Sequence, residues 1–199
     1  MKKYRIRRKL KNKLLLKILI IISISVLFGI LYMAIISSND KKIVIDTIKT
    51  YFSSLSKIDY SSAFIKCLSS NILCILLIWL LGISIIGIPI IILVLIIKSF
   101  ILGFSISSII YMYKFKGILI AFFYIIPLLL NLFSITYISY YAITFSKNLN
   151  KLLFTKKDIS FRNIMKKYIK IMIISIIFIL ISSILEIYVI PLILKLFKY

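Results

Sequence analysis

The stretch ILCILLIWLLGISIIGIPIIILVLIIKSFILGFSISSIIYMY, residues 72–113, carries a single charge, Lys98, in 42 positions. About 20 apolar residues already span the hydrocarbon core of a bilayer as one helix. The run is therefore too long for one crossing and has to fold back once. Two turning points are open. Gly82, Gly87 and Pro89, in LGISIIGIP, are helix breakers, and a turn there leaves a short first arm and a long second arm with Lys98 near its middle. A turn at Lys98-Ser99 leaves a first arm of 26 residues with a kink inside it and a second of only 15. The 82–89 segment also suits a broken or re-entrant helix, tolerated at membrane depth where protein or water shields its freed backbone groups.

The flanks repeat the pattern. Residues 18–38 are uncharged, as are 117–146, and 171–194 carry only Glu186. The mean hydropathy of +1.13 and an apolar share of 62% exceed the roughly 45–50% of a soluble domain. With the 72–113 run counted as two spans, an all-α integral membrane protein with five transmembrane helices is expected. It comprises a basic tail (1–17) and a single membrane domain (18–199). The apolar core at 18–38 is longer than that of a signal peptide, and 34–38 is a poor cleavage site, so it reads as an uncleaved first span. Residues 39–70 are mixed. Ile43, Val44, Thr47, Ile48, Tyr51, Phe52 and Leu55 recur there at helical spacing, which fits an amphipathic helix at the outer interface or a surface for an extracytoplasmic partner.

The 27 Lys and Arg against 5 Asp and Glu give a net charge of +22. These charges lie in blocks between apolar runs, so a soluble nucleic-acid binder is excluded. Segments 1–17 and 147–170 hold 17 of the basic residues, whereas 39–71, 114–116 and 195–199 hold nine. The positive-inside bias thus predicts a cytoplasmic N-terminus and an extracytoplasmic C-terminus.

The side-chain inventory removes much chemistry. There is no His, so imidazole ligands and Ser-His-Asp triads are out of reach. Two cysteines and five scattered carboxylates do not build a zinc site, and no cofactor is expected. Cys67 and Cys74, seven apart on one helix, would stand about 10 Å apart, beyond disulfide reach. They read as structural. GISIIGIP lacks the Lys-Ser/Thr end of a phosphate-binding loop.

Polar groups inside apolar runs are the candidate sites. Ser175, Ser182, Ser183 and Glu186 draw a seam down one face of the last span. It suits helix packing, with Glu186 satisfied by a hydroxyl or a lysine, or a carboxylate that handles protons or ions. Lys98, if mid-span, needs an anion, and Glu186 is the only intramembrane carboxylate; at a span end it would snorkel. Ser99, Gly103 and Ser107 form a small-residue stripe for close helix approach, internal or between copies. Pro127 and Asn131 suggest a kink and a hydrogen-bonded helix contact. Tyr137, Tyr140, Tyr141, Tyr111 and Tyr113 fit interfacial belts.

The run Asn71 to Pro89 with WLLGISIIGIP at its end, KSFILGF from Lys98 to Phe104, and SSILEIYVIP from Ser182 to Pro191 together resemble the stage II sporulation protein M family. The likeness extends over about residues 64–199. Its matching positions include Asn71, Trp79, Gly82, Gly87, Pro89, Lys98, Gly103, Pro127, Ser182, Ser183, Glu186, Tyr188 and Pro191. Two spots depart from the family pattern: Ser99 stands where Gly is expected, and apolar residues follow Pro127. The resemblance implies a non-enzymatic membrane scaffold of endospore formers. It would hold two peptidoglycan-degrading partners, stage II sporulation proteins D and P, at the septal membrane during engulfment. The competing expectation is a transporter or permease subunit, with Lys98, Glu186 and the 82–89 segment along a path. A small lytic protein would leave the motif unexplained.

Overall fold

The structure, a computed structural model, describes residues 2–54, 60–84, 86–155 and 161–192. Side chains are described for 13–50, 60–84, 86–150 and 161–192. The side chains of Tyr51, Phe52 and Leu55, much of the basic tail and of the 147–170 segment, and the end of the chain from 193 lie outside them. Every described element is helical.

Helix α1 (Lys2–Ile35) is followed by α2 (Ser38–Ser54) and α3 (Tyr60–Leu81). Ser37 caps α2 in a reciprocal box. Its Oγ accepts from the Asp40 amide at 3.2 Å and donates to Asp40 Oδ2 at 2.7 Å. Lys41 then ties α2 back to α1, donating to the Ala34 carbonyl at 3.0 Å, near a helix end whose carbonyls lack partners.

A helical stretch Gly87–Thr155 follows, with Lys114 inside it at φ 51°, ψ −123°. The chain reverses there. Ile120 and Ala121 share a buried cluster with Ile109, and a Cβ on Gly117 would meet the Ile109 carbonyl at 2.7 Å. In one straight helix, residues eight apart would be about 12 Å apart along the axis. The stretch is thus a hairpin of α4 (87–113) and α5 (115–155). Helix α6 (Phe161–Ile184) completes the set and passes into a π-helical turn, Leu185–Val189.

Four helical stretches are long and apolar enough to cross a membrane: Lys13–Ile35, Tyr60–Leu81, Gly87–Asn150 and Phe161–Leu192. The third doubles back at Lys114, so the chain makes five passes. The 72–113 question is settled by a turn at 82–86, where the Ile83 and Ser84 amides donate to the Leu80 and Leu81 carbonyls at 3.0 and 3.1 Å. The first arm is not short, because α3 starts at Tyr60. The interval 39–70 is therefore divided between α2 and the first turns of α3. The early start is tolerated because Lys66, near the helix end, stays exposed and can reach the headgroups. Likewise α6 starts ten residues before the uncharged run. Arg162, Lys166, Lys167 and Lys170 occupy its exposed side while Tyr168 and Ile171 are buried. On α2, Val44 and Ile48 are half-buried but Ile43 is 64% exposed on the chain itself, a surface suited to the interface.

Helices α1, α4 and α6 run one way, α3 and α5 the other. Gly29 faces the backbone of Phe100, and Gly103 faces that of Val26, so α1 and α4 nearly touch where they cross; Ile18 shares a cluster with Ile91 and Leu95 while Tyr32 meets Phe104, so the two run parallel. The Ser99–Gly103 stripe is therefore internal packing, with Gly29 and the Val26 backbone of α1 as its complement. Hydroxyls fasten the remaining helices. Ser134 donates to the Ser175 carbonyl at 2.7 Å, and Ser182 to that of Pro127 at 2.8 Å, which joins α5 to α6. Ser146 donates to the Ser84 carbonyl at 3.1 Å, and Tyr168 to that of Trp79 at 2.8 Å. Because lipid tails are as apolar as Leu, such bonds and close packing hold helices together, each bond contributing about 0.6–2 kcal/mol. Near the 82–86 turn Tyr168 is stacked between Phe145, 4.3 Å away, and Trp79, 5.7 Å away.

Candidate functional site

The inner faces of α3, α4 and α5 are sealed by Ile75, Ile78, Ile91, Leu95, Ile135 and Ile138, all at most 1% exposed. On the side of this plug toward Lys114 the packing opens into a cavity of about 270 Å³. α3 contributes Cys67, Ser70 and Asn71; α4 contributes Lys98 and Ser105. From α5 come Tyr124 and Asn131, and from α6 Glu186. Lys98 is eleven residues into α4, about 16 Å from its start. It is thus well inside the span rather than at its end.

Glu186 lies in the π-helical turn. A π turn carries one extra residue per hydrogen-bonded loop and so re-aims the side chains that follow. Cys67 Sγ is 3.6 Å from Glu186 Oε2 and 3.8 Å from Ser183 Oγ. A thiol has one proton, so it donates to one of these at a time. Asn71, one turn along α3, donates to the same sulfur from Nδ2 at 3.6 Å. Lys98 lines the same cavity, yet Lys98 and Glu186 form no ion pair with each other. The partner of Glu186 is therefore neither a lysine nor a serine hydroxyl but a thiol.

Of the residues singled out in the sequence, Asn71, Lys98, Asn131 and Glu186 come together here, with Ser183 beside them through Cys67. The others build the frame. Gly82 lies under the Tyr168 hydroxyl, Gly87 against the Leu81 carbonyl and Gly103 against α1. Pro89 stands in the first turn of α4, where a missing N–H is harmless. Pro127 and Ser182 are joined by their hydrogen bond, and Pro191 is buried at the far end of α6. Cys67, Ser70, Ser105 and Tyr124 escaped the sequence reading. For Cys67 a signal existed: it precedes Asn71 by one helical turn, on the same face. Both cysteines are free thiols.

The family model described as Stage II sporulation protein M matches residues 18–191. The chain belongs to the stage II sporulation protein M family. The resemblance read from 71–89, 98–104 and 182–191 is thereby borne out, and the match reaches further back, taking in α1 and α2. No curated protein and no solved structure matches the chain. Membership in the stage II sporulation protein M family, with several apolar spans, makes this a sporulation-related multi-pass membrane protein. All four cavity residues foreseen in the sequence fall within the matched span, and the basic tail falls outside it.

Proposed function

We propose that the chain is the multi-span base of the engulfment machinery. It would hold the peptidoglycan-degrading stage II sporulation proteins D and P at the septal membrane of the mother cell. Family membership carries this reading. The side chains agree with it, since the cavity holds a thiol, amides, a carboxylate and an ammonium, and no histidine or second acid among the described residues stands beside the Cys67–Glu186 contact to make the thiol a nucleophile. The chain itself performs no hydrolysis; its partners cut the wall. The end bearing the N-terminus and the α5–α6 connection faces the cytoplasm, in keeping with its 17 basic residues. α2, the Lys114 turn and the far end of α6 then face the wall, where the partners work.

The test is affinity capture of the tagged full-length protein from sporulating cells in mild detergent, followed by mass spectrometry. Recovery of membrane-anchored wall hydrolases is expected. A permease or transporter subunit is the second reading, favoured by two opposite charges in one intramembrane cavity. Recovery of an ATPase or a solute-binding subunit without wall enzymes would put that reading first.

A further inference from the structure

Two groups in the cavity lack the partners that burial demands. The Lys98 ammonium makes no hydrogen bond or ion pair among the described residues, although it is half-buried. The Glu186 carboxylate has only the Cys67 thiol, a weak donor, at 3.6 Å. Opposite charges at membrane depth attract strongly and would close on one another if the helices allowed it. Here both line a shared space of about 270 Å³ without forming an ion pair. A single water occupies about 30 Å³, so the space admits a molecule of several heavy atoms.

The opening indicates where that molecule comes from. Only two of the residues lining the cavity are exposed, Ser70 on α3 and Ile101 on α4. These helices are antiparallel neighbours joined at 82–86, which sets Ser70 and Ile101 at similar height. Ser70 is ten residues from the start of α3, about 15 Å into the helix. With Lys66 at the headgroups, the mouth opens sideways one helical turn below it, about 6 Å into the apolar layer. Beside the charges, Asn131 adds a neutral amide, and Ile101 and Leu128 supply apolar rim.

We propose that this cavity binds the headgroup of a zwitterionic aminophospholipid, phosphatidylethanolamine, entering from the bilayer between α3 and α4. The phosphate lies on the Lys98 ammonium, the primary ammonium donates to Glu186, and the acyl chains leave along Ile101 and Leu128. The inference does not rest on the scaffold reading, because it uses only the charges, the cavity and its mouth. It accounts for a lysine and a glutamate held in one cavity without contact.

The experiment is native mass spectrometry of the full-length protein, delipidated in detergent and titrated with phosphatidylethanolamine, phosphatidylglycerol or phosphatidylcholine. Phosphatidylglycerol offers a phosphate but no cation, and phosphatidylcholine a cation without N–H donors. Preferential retention of phosphatidylethanolamine is expected. Lys98→Met and Glu186→Gln should each weaken it by about tenfold or more, the loss expected for one charge-assisted hydrogen bond. Equal retention of the three lipids by the unaltered protein would overturn the proposal, and needs no variant to fold. So would an undiminished preference in a correctly folded Lys98→Met protein. If free glycerophosphoethanolamine competed as well as the lipid, the occupant would be a soluble zwitterion and the bilayer source would be wrong.

Discussion

At the scale of single residues, two positions connect chemistry to packing most directly. Gly82 is required because a Cβ there would run into the Tyr168 hydroxyl and meet Ala142 Cβ at 2.8 Å. Gly82→Ala is expected to destabilise the protein by roughly 1–3 kcal/mol through overpacking, read as a lower thermal midpoint in detergent. Measured against Tyr168→Phe alone, which loses the Trp79 hydrogen bond, the double variant should fall short of the summed losses because the nearest obstructing atom is gone; strictly additive losses would place the strain elsewhere. Glu186 is the opposite case. Its carboxylate is held only by a thiol, so Glu186→Gln should leave insertion and thermal stability intact while reducing partner recovery and engulfment. Normal engulfment with normal partner recovery would deny this charge a role. Glu186 and Lys98 were both legible as anomalies, since an ionisable residue inside an apolar run stands out in any window. Their relation was not. Cys67, an ordinary cysteine in the sequence, became the partner of Glu186 only when α3 was laid against α6.

At the scale of elements, the hairpin at Lys114 and the α1–α4 crossing have simple causes. Lys114 takes a positive φ that an L-residue adopts with strain, typically 1–3 kcal/mol. Lys114→Gly should raise stability by about 1 kcal/mol, after the added freedom of the unfolded chain is subtracted. Lys114→Val should lower it, and thermal unfolding of both variants in detergent checks the sign. The crossing depends on bare backbone at Gly29 and Gly103. Gly103→Leu is expected to lower the thermal midpoint by more than Leu does at exposed, lipid-facing Ile101, because only the first pushes into a neighbouring helix. The Ser99–Gly103–Ser107 stripe was visible in the sequence, as was Pro127. Their partners, Val26 with Gly29 and Ser182, were not, because a small residue announces a close approach without saying what approaches.

At the scale of the whole molecule, the charge outside the spans predicts the direction of each pass. With Cys67 and Cys74 replaced by Ala, an impermeant thiol reagent on intact cells should label Asn39→Cys on α2 but not Asn148→Cys near the end of α5. The reverse pattern would invert the orientation. The sequence alone determined the helical class, the number of passes and the distribution of basic residues. Each follows from a local quantity: twenty apolar residues in a row exceed any soluble pattern, and every charge left over has to stay near water. The motifs at 71–89 and 182–191 likewise carried the family without coordinates. Only the tertiary structure decided that α3 reaches back to Tyr60, that the stripe packs within one chain, and that Asn71, Lys98, Asn131 and Glu186 enclose one cavity. These are relations between helices far apart in the chain. Within lipid, many faces of an apolar helix look alike, and the choice among them falls to close contacts and a few hydroxyl bonds that pair only in three dimensions.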